Sequence, residues 1–441
     1  MFYSKFLRLF PLRLFSNSGT NQKAQPQLPV EIWQEIFYHA CIVDLYQDSH
    51  DGFIPTRIRL ALVSKHWNSI VLATPILWSQ IVITSHTPSG TYLQRILHLS
   101  KSSVLEIYVN FSDLGRDQIP LLFSILRTQP SRLGTFILVE LCYWQHAIES
   151  LQHLFPMNMH HSLDHLQIFY IGGDGYYART PRPKVHMGRI ISPNLTELAL
   201  PVCYESILYT FCGIPDPALR KVDICVHEGW QTVQLVAKCP ILERLTIRFL
   251  FDQVPPVPFD IYFPGTLTTL SLDIHGDDSS GIRILAKHLY FPGLRDLTFK
   301  FTSYGRPHSE TSGAESLQEL VLNKSPNILT LRLHFLYLDT AMLELFTYLK
   351  QLHALQLYTC RFQPDFLGIF CNVDDICPQL EEFTATCRYS NTFFQDIQSL
   401  LVERPQFAKF LTISSKLFTR DKERAILKTL QYQFPTIQVV S

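Results

Sequence analysis

The chain has 441 residues, of which 46% are hydrophobic and 17% are charged, and its 38 basic and 38 acidic residues give a formal net charge of zero. A neutral chain offers no electrostatic footprint for nucleic acid or an anionic membrane surface, so we expect neither as a partner. No apolar run approaches the roughly 18 residues that a membrane helix needs. The length fits two or three compact domains, or a small domain and a long repeat array.

Residues 1–26 are predicted to form a disordered tail. Arg8 and Arg13 lie in an apolar stretch, and no acidic residue precedes Glu31. This composition is also typical of a mitochondrial transit peptide. Pro11 interrupts the amphipathic run, which favours the tail, and mitochondrial targeting remains the alternative.

Two short amphipathic helices are predicted after the tail, over residues 28–37 and 60–71. Pro29 suits the first turn because its φ is fixed and it lacks an amide hydrogen. Ile32 and Ile36 lie one turn apart and begin an apolar stripe, and the second segment carries a similar stripe. Helices this short cannot bury both stripes by themselves.

Large apolar side chains are dense in this region, with Trp33, Phe37, Trp67 and Trp78 close together in the sequence. Burying one such side chain yields roughly 1.5–3 kcal/mol, and leaving several exposed would favour aggregation. We therefore predict that a partner protein covers them. The alternative is a small helical cap that closes the end of the next domain, because apolar helical stripes are usually core.

The sequence LPVEIWQEIF, followed by ALVSKHWNSI at 61–70 and TPILW at 74–78, resembles the F-box in the form common in large fungal families. The resemblance covers residues 28–81, although the joining segment 42–59 is longer than in the compact form. It implies docking on a Skp-type adaptor, and through it on a cullin, in the cytoplasm and/or the nucleus. The residues that it assigns to adaptor binding are Leu28, Pro29, Ile32, Ile36, Phe37, Leu60, Val63, Trp67 and Trp78.

From residue 83 onward the chain repeats the unit P-x-L-x-x-L-x-L. The copies are spaced by 23 to 28 residues, with one interval of 34, in or near the window of leucine-rich repeats. Their first apolar positions are Leu195, Leu219, Leu242, Leu267, Leu294, Ile328, Leu352 and Leu380. Weaker copies begin near residues 105, 133 and 163, and closing strands are predicted at 410–413 and 437–440.

Each unit predicts a short strand with one buried face, because apolar residues alternate in it. Helical spacing follows at 233–237, 282–289, 342–349 and 397–401, and a strand, a helix and a parallel strand form a right-handed crossover. The array resembles the leucine-rich-repeat horseshoe, in which Cys203 and Cys360 occupy a position where the family bonds the turn backbone. A conventional α/β domain with coincidental leucines is the alternative.

The predicted fold class is therefore α/β: a helical F-box-like module at 27–82, then a leucine-rich-repeat solenoid at 83–441 with parallel strands on the concave face and helices outside. Residues between the strand leucines should line the concave face, and they mix both charge signs with hydroxyls and aromatic rings. This chemistry suits a folded protein or a peptide, although plain solvated surface is the alternative. The candidate substrate-binding residues are Arg244, Arg248, Asp273, Lys300, Arg332, His334, Tyr358 and Glu382.

The sequence offers no catalytic arrangement that can be argued from spacing, no metal site and no cofactor motif. We therefore expect a non-enzymatic protein. The family resemblance implies the substrate-recognition subunit of an SCF-type ubiquitin ligase, holding an unknown protein substrate. The alternatives are an interaction scaffold that uses the same modules outside a ligase and, least favoured, an unrecognised enzyme.

Overall fold

The computed structural model of the chain describes most of the predicted elements. The residues described are 28–42, 56–84, 90–110, 118–139, 151–157, 159–172, 187–200, 205–212, 217–226, 230–250, 260–275, 287–302, 317–321, 327–363, 366, 369–370, 376–387, 402, 412–414, 425, 428–429, 431–434 and 438–440. The predicted tail, Cys203 and the predicted helix at 397–401 lie outside these residues.

The chain divides into two compact units, Met1–Leu77 and Trp78–Ser441. The division falls after Leu77, whereas the sequence placed the module boundary after residue 82. The first strand of the second unit already begins at Gln80. We therefore describe the two units separately.

The first unit is helical in its described part. Its helices are α1 (Val30–Ile42), α2 (Thr56–Val63) and α3 (Lys65–Ala73), and a 3₁₀ turn (Pro75–Trp78) follows them. Ser64 caps α3, because its hydroxyl accepts a hydrogen bond from the Trp67 amide at 3.1 Å. The buried Arg57 guanidinium donates to the carbonyl of Leu77 at 3.2 Å and so ties α2 to the end of the unit.

The second unit contains a 15-stranded parallel sheet in its described part. Its strands in spatial order are β1 (Gln80–Ile83), β2 (Leu105–Asn110), β3 (Leu133–Val139), β5 (Ile168–Ile171), β7 (Glu197–Leu200), β9 (Lys221–Val226), β10 (Arg244–Leu250), β12 (Thr269–His275), β14 (Asp296–Thr302), β15 (Thr330–His334), β17 (Ala354–Phe362), β18 (Glu382–Cys387), β19 (Thr412–Ser414) and β20 (Gln438–Val440), with β16 (Tyr337–Leu338) beside β17. The spatial order follows the chain order, as in a solenoid in which each repeat contacts its neighbours. The predicted leucine-rich-repeat architecture is confirmed.

Burial alternates along the strands. In β15 the leucines at 331 and 333 are fully buried, while the residues between and after them are half-buried. Equivalent leucines are register partners in neighbouring strands, so they stack into one continuous core. Phenylalanines fill the early part of this core, where Phe136 and Phe169 stack at 5.6 Å.

Helices follow several of the main strands. They are α4 (Gly90–Leu99), α5 (Gln118–Leu126), α6 (Glu205–Leu208), α7 (Trp230–Ala237) and α8 (Thr340–Tyr348). The helices predicted from the apolar spacing at 233–237 and 342–349 are therefore present. The weaker repeats near residues 105, 133 and 163 also supply strands of the sheet, and 438–440 form its last strand.

Short parallel strands also lie between the main strands along the chain, and one of them begins where a helix was predicted. They are β4 (His160–Ser162), β6 (Arg189–Ile191), β8 (Phe211–Cys212), β11 (Ile261–Tyr262) and β13 (Leu289–Tyr290). The helix predicted over 282–289 is wrong at its end, because Leu289 lies in a strand. Strand geometry lets Tyr262 stack on Tyr290 at 4.4 Å, an aromatic pair that the helical spacing did not anticipate.

Two consecutive repeats share the sequence YFPG, at 262–265 and 290–293. Their phenylalanines, Phe263 and Phe291, are buried and stack at 4.6 Å. A Cβ atom at Gly293 would lie 2.0 Å from the carbonyl oxygen of Gly265. Glycine is therefore required here by the close approach of the two turns.

Cys360 bonds the backbone of the turn, as its position in the repeat predicts. Its buried thiol donates to the carbonyl of Leu333 at 3.4 Å. Burial raises the pKa of Cys360 to about 12, so the group remains a protonated donor. The side chain is a structural part of the solenoid.

Candidate protein-binding surfaces

Three aromatic rings join the helices of the first unit. Trp67 of α3 lies 5.1 Å from Trp33 and 4.8 Å from Phe37, both on α1, measured between ring centroids. The apolar periodicity of the two segments explains this meeting, because both stripes present their aromatic residue to the other helix. The rings position the two helices relative to each other.

The predicted adaptor-binding residues fall into three groups by exposure. Those with exposed side chains are Leu28, Pro29, Ile32 and Val63. Those that are half-buried are Ile36, Leu60 and Trp67. Phe37 and Trp78 are buried, with exposed fractions of 0% and 4%, so they are core residues in this structure. The candidate adaptor contacts are therefore the exposed residues.

Further exposed apolar side chains on these helices were not predicted. They are Val30, Leu62, Leu72 and Ile76, and Leu62 is the most exposed at 76%. The run from Leu60 to Val63 contained the signal, since four consecutive apolar residues on a helix cannot all face one side. Exposed apolar side chains gathered on a small unit are typical of a protein-binding surface.

The second candidate surface is the side of the main sheet that carries the half-buried residues, which we call the concave face. Parallel pairing arranges its side chains in three rows across the strands. The first row is Glu197, Lys221, Arg244, Thr269, Asp296, Thr330, Ala354 and Glu382. The second row is Ala199, Asp223, Thr246, Ser271, Thr298, Arg332, Gln356 and Thr384. The third row is Cys225, Arg248, Asp273, Lys300, His334 and Tyr358.

An alternating charge cluster crosses four strands of this face. Arg248 lies between two carboxylates, 3.2 Å from Asp223 and 4.0 Å from Asp273. Lys300 binds the same Asp273 carboxylate at 2.9 Å. The sequence predicted Arg248, Asp273 and Lys300 as individual substrate-binding residues, and the parallel register of the strands brings their side chains together.

Asp223 was not among the nominated residues, although it belongs to the cluster. Its Oδ1 atom is buried and has no hydrogen-bond partner among the residues that the structure describes, while its Oδ2 atom faces Arg248. Burial raises the pKa of Asp223 to about 6, against the opposing attraction of Arg248. The role of Asp223 could have been predicted only from the strand register, which places its half-buried carboxylate beside Arg248.

A second polar group lies on the neighbouring strands β15 and β17. The Gln356 side-chain oxygen accepts hydrogen bonds from Arg332 Nε and from the Tyr358 hydroxyl, both at 3.0 Å. The His334 ring stacks on the Tyr358 ring with 4.6 Å between centroids and an interplanar angle of 21°. Burial, and then the charge of Lys300, lower the pKa of His334.

The remaining nominated residues, Arg244 and Glu382, are exposed and lie in the first row. Thr269, Asp296, Thr330 and Ala354 separate them in that row, so the sheet does not bring them together.

Two further features, membrane-spanning helices and metal-binding clusters, characterise other classes of protein. In the described ranges, no helix is long and apolar enough to cross a membrane. Nor do those ranges contain a group of three or more His, Cys, Asp or Glu side chains arranged to hold a metal ion.

One part of the chain is similar to a known protein family. Residues 25–84 match the F-box-like family model, which covers less than half of the chain. No curated protein matches the chain. Among solved structures, the leucine-rich repeat-containing protein LegL7 from Legionella pneumophila is similar over 82% of this chain and 89% of that one, with 12% identity and a TM-score of 0.28. A TM-score this low carries no argument, so the description of the solenoid rests on the chain's own strands and register.

Proposed function

Starting from the F-box-like domain at residues 25–84, we propose that this chain is the substrate-recognition subunit of an SCF-type cullin–RING ubiquitin ligase. The F-box-like domain would dock on a Skp-type adaptor, and through it on a cullin, while the solenoid would bind the protein to be ubiquitinated. The observation that carries the proposal is the F-box-like match on helices with exposed apolar side chains. Such a complex acts in the cytoplasm or the nucleus.

The mechanism we propose is positioning. Joining the adaptor-binding unit to the target-binding unit raises the effective concentration of target lysines near the conjugating enzyme. The chain itself would make and break no bond. A scaffold that binds the adaptor without a cullin would use the same surfaces, and co-purification distinguishes the two because only the ligase subunit recovers the cullin.

The test is adaptor binding by a double variant, Ile32→Asp with Leu62→Asp. Both side chains are exposed, at 47% and 76%, so the change should leave the helices folded. Burial of one such side chain contributes roughly 1.5–3 kcal/mol, so we expect the affinity for a Skp-type adaptor to fall by about a hundredfold or more. The measurement is titration calorimetry with the purified adaptor.

The matched control is Leu121→Asp, which introduces the same charge at an exposed leucine of the second unit. We expect it to bind the adaptor like the native chain. Unchanged adaptor affinity in the double variant would show that these helices do not form the docking surface.

A further inference from the structure

We infer that the concave face binds an acidic peptide segment, with a carboxylate side chain of the peptide held by Arg332 and a neighbouring side chain packed on the ring of Tyr358. This inference rests on the proposed function in one respect, that the peptide belongs to the target protein. The binding site itself is argued from the solenoid alone.

The charges of the cluster beside this site largely satisfy one another. Two carboxylates, Asp223 and Asp273, face two cations, Arg248 and Lys300, with every recorded distance at or below 4.0 Å. Arg332 is different. Within the ranges that the structure describes, it forms no ion pair, and its recorded hydrogen bond goes to the neutral Gln356. Among the described residues, Arg332 is therefore a cation without an ion-pair partner, and Asp296, two residues before its register partner Thr298, is a carboxylate without one.

The guanidinium of Arg332 is held in a defined orientation. Its Nε atom donates to Gln356, which also accepts from Tyr358 and is thereby fixed itself. In this arrangement the two Nη nitrogens remain as donors. A guanidinium presents such donors as a planar fork that matches a carboxylate, and the side chain has little freedom left to lose on binding.

The stacked rings of His334 and Tyr358 lie beside Arg332 and supply a flat contact surface. Both rings are half-buried, so each keeps part of its surface available. A carboxylate donor site next to an aromatic surface fits a peptide in which an acidic residue adjoins an apolar one. The hydroxyl of Thr298, the register partner of Arg332 on β14, adds a polar neighbour.

The alternating signs on the face argue against an extended polyanion. A nucleic-acid backbone crossing the sheet would meet Asp223 and Asp273 in the cluster and Glu382 and Asp296 in the first row. Repulsion from these carboxylates would offset the attraction of the cations. One discrete carboxylate at Arg332 would meet fewer of these carboxylates, with Asp296 on the adjacent strand.

Binding of a carboxylate should also change the proton affinity of His334. The groups that face this ring are Lys300, Arg332, Asp273 and Tyr358. Burial, and then Lys300 and Arg332, lower the pKa of His334, while Asp273 raises it, so the free imidazole is neutral at neutral pH. A bound carboxylate would counter those cations and favour the imidazolium. By linkage, acidification below neutral pH should strengthen peptide binding.

The experiment uses the full chain and a display library of random peptides as the probe. Peptides captured by the native chain are sequenced and compared with those captured by Arg332→Gln. We expect Asp and Glu to be enriched by the native chain and not by the variant. A synthetic peptide of the enriched sequence is then measured by fluorescence anisotropy, and Arg332→Gln should weaken its binding by about tenfold or more, because a charge-assisted pair is lost.

Two further variants make the readout specific. Arg332→Lys keeps the charge and loses the fork, so its affinity should lie between those of the native chain and Arg332→Gln. Arg95→Gln removes an exposed arginine from α4, outside the concave face, and should bind like the native chain. His334→Gln removes one of the two stacked rings, so it should weaken peptide binding at neutral pH and also abolish the strengthening on acidification.

Three results would overturn the inference. These are a captured set without acidic enrichment, equal affinity of the native chain and Arg332→Gln, and a phosphoserine peptide that binds more than about tenfold tighter than its Glu counterpart. Adaptor binding is measured on the same samples. If the adaptor fails to bind while the acidic peptide binds at Arg332, the ligase proposal fails and this inference stands. The reverse result leaves the ligase proposal intact and removes the inference.

Discussion

At the scale of single residues, the surroundings decide what a side chain contributes. Asp223 looks like any strand carboxylate in the sequence, yet one of its oxygens is buried without a hydrogen-bond partner in the described part of the chain. Phe37 and Trp78 looked like contact residues and are core residues. Leu62 was not among the predicted contact residues, and it is the most exposed of the large apolar side chains on its helix.

Replacing Asp223 by Asn should change how stability depends on pH. Because burial raises the pKa of Asp223 from 3.8 to about 6, the folded state favours the protonated carboxyl. The stability that this group provides is full below about pH 4 and is lost as the pH rises through about 6. Relative to Asp223→Asn, the native chain should therefore lose about 3 kcal/mol of unfolding free energy over this range.

The measurement is urea unfolding of both proteins at a series of pH values. Parallel stability curves for the two proteins would contradict the proposed burial of the Asp223 carboxyl.

At the scale of elements, strand pairing and helix capping determine where the candidate residues lie. The P-x-L-x-x-L-x-L unit identifies the main strands because its alternation has the strand period. The outer segments were harder to assign, since a short apolar run such as that ending at Leu289 fits a helix or a strand. Leu289 lies in a strand because it pairs with Ile261. This pairing cannot be predicted from one segment of the sequence considered alone.

The cap of α3 offers a test at this scale. Ser64→Ala removes the hydrogen bond to the Trp67 amide and should lower the stability of the first unit by about 1 kcal/mol. Ser69→Ala is the control, because its exposed hydroxyl bonds only within the helix, to the carbonyl of His66. Amide hydrogen exchange in α3 measures this local stability, and equal exchange rates for the two variants would show that the cap contributes nothing.

At the scale of the whole molecule, the second unit is stabilised by contacts between neighbouring repeats. Each main strand pairs with the strands of the adjacent repeats, and the sheet follows the chain order throughout. In such an array, damage to one repeat should spread first to its neighbours and only weakly to distant repeats. Stability is therefore a local property along the solenoid.

Leu331→Ala tests this locality. Leu331 is fully buried in β15, so the substitution should cost roughly 2–5 kcal/mol. Amide hydrogen exchange should accelerate most in β14 and β17, the partners of β15, and least in β2 and β3. Uniform acceleration across all of these strands would instead indicate that the unit unfolds as a single cooperative block.

The sequence by itself determined the local periods of this protein: the helical stripes that resemble an F-box, and the strand repeats whose leucines form the core. Those patterns follow from chain geometry, because side chains recur at 3.6 residues in a helix and at 2 in a strand. The tertiary structure alone decided which polar residues meet. Arg248 is separated by 25 residues from Asp223 and from Asp273, and only the parallel register places the three side by side. The exposure of Leu62 and the burial of Phe37 were decided in the same way, because they depend on how α1, α2 and α3 pack together.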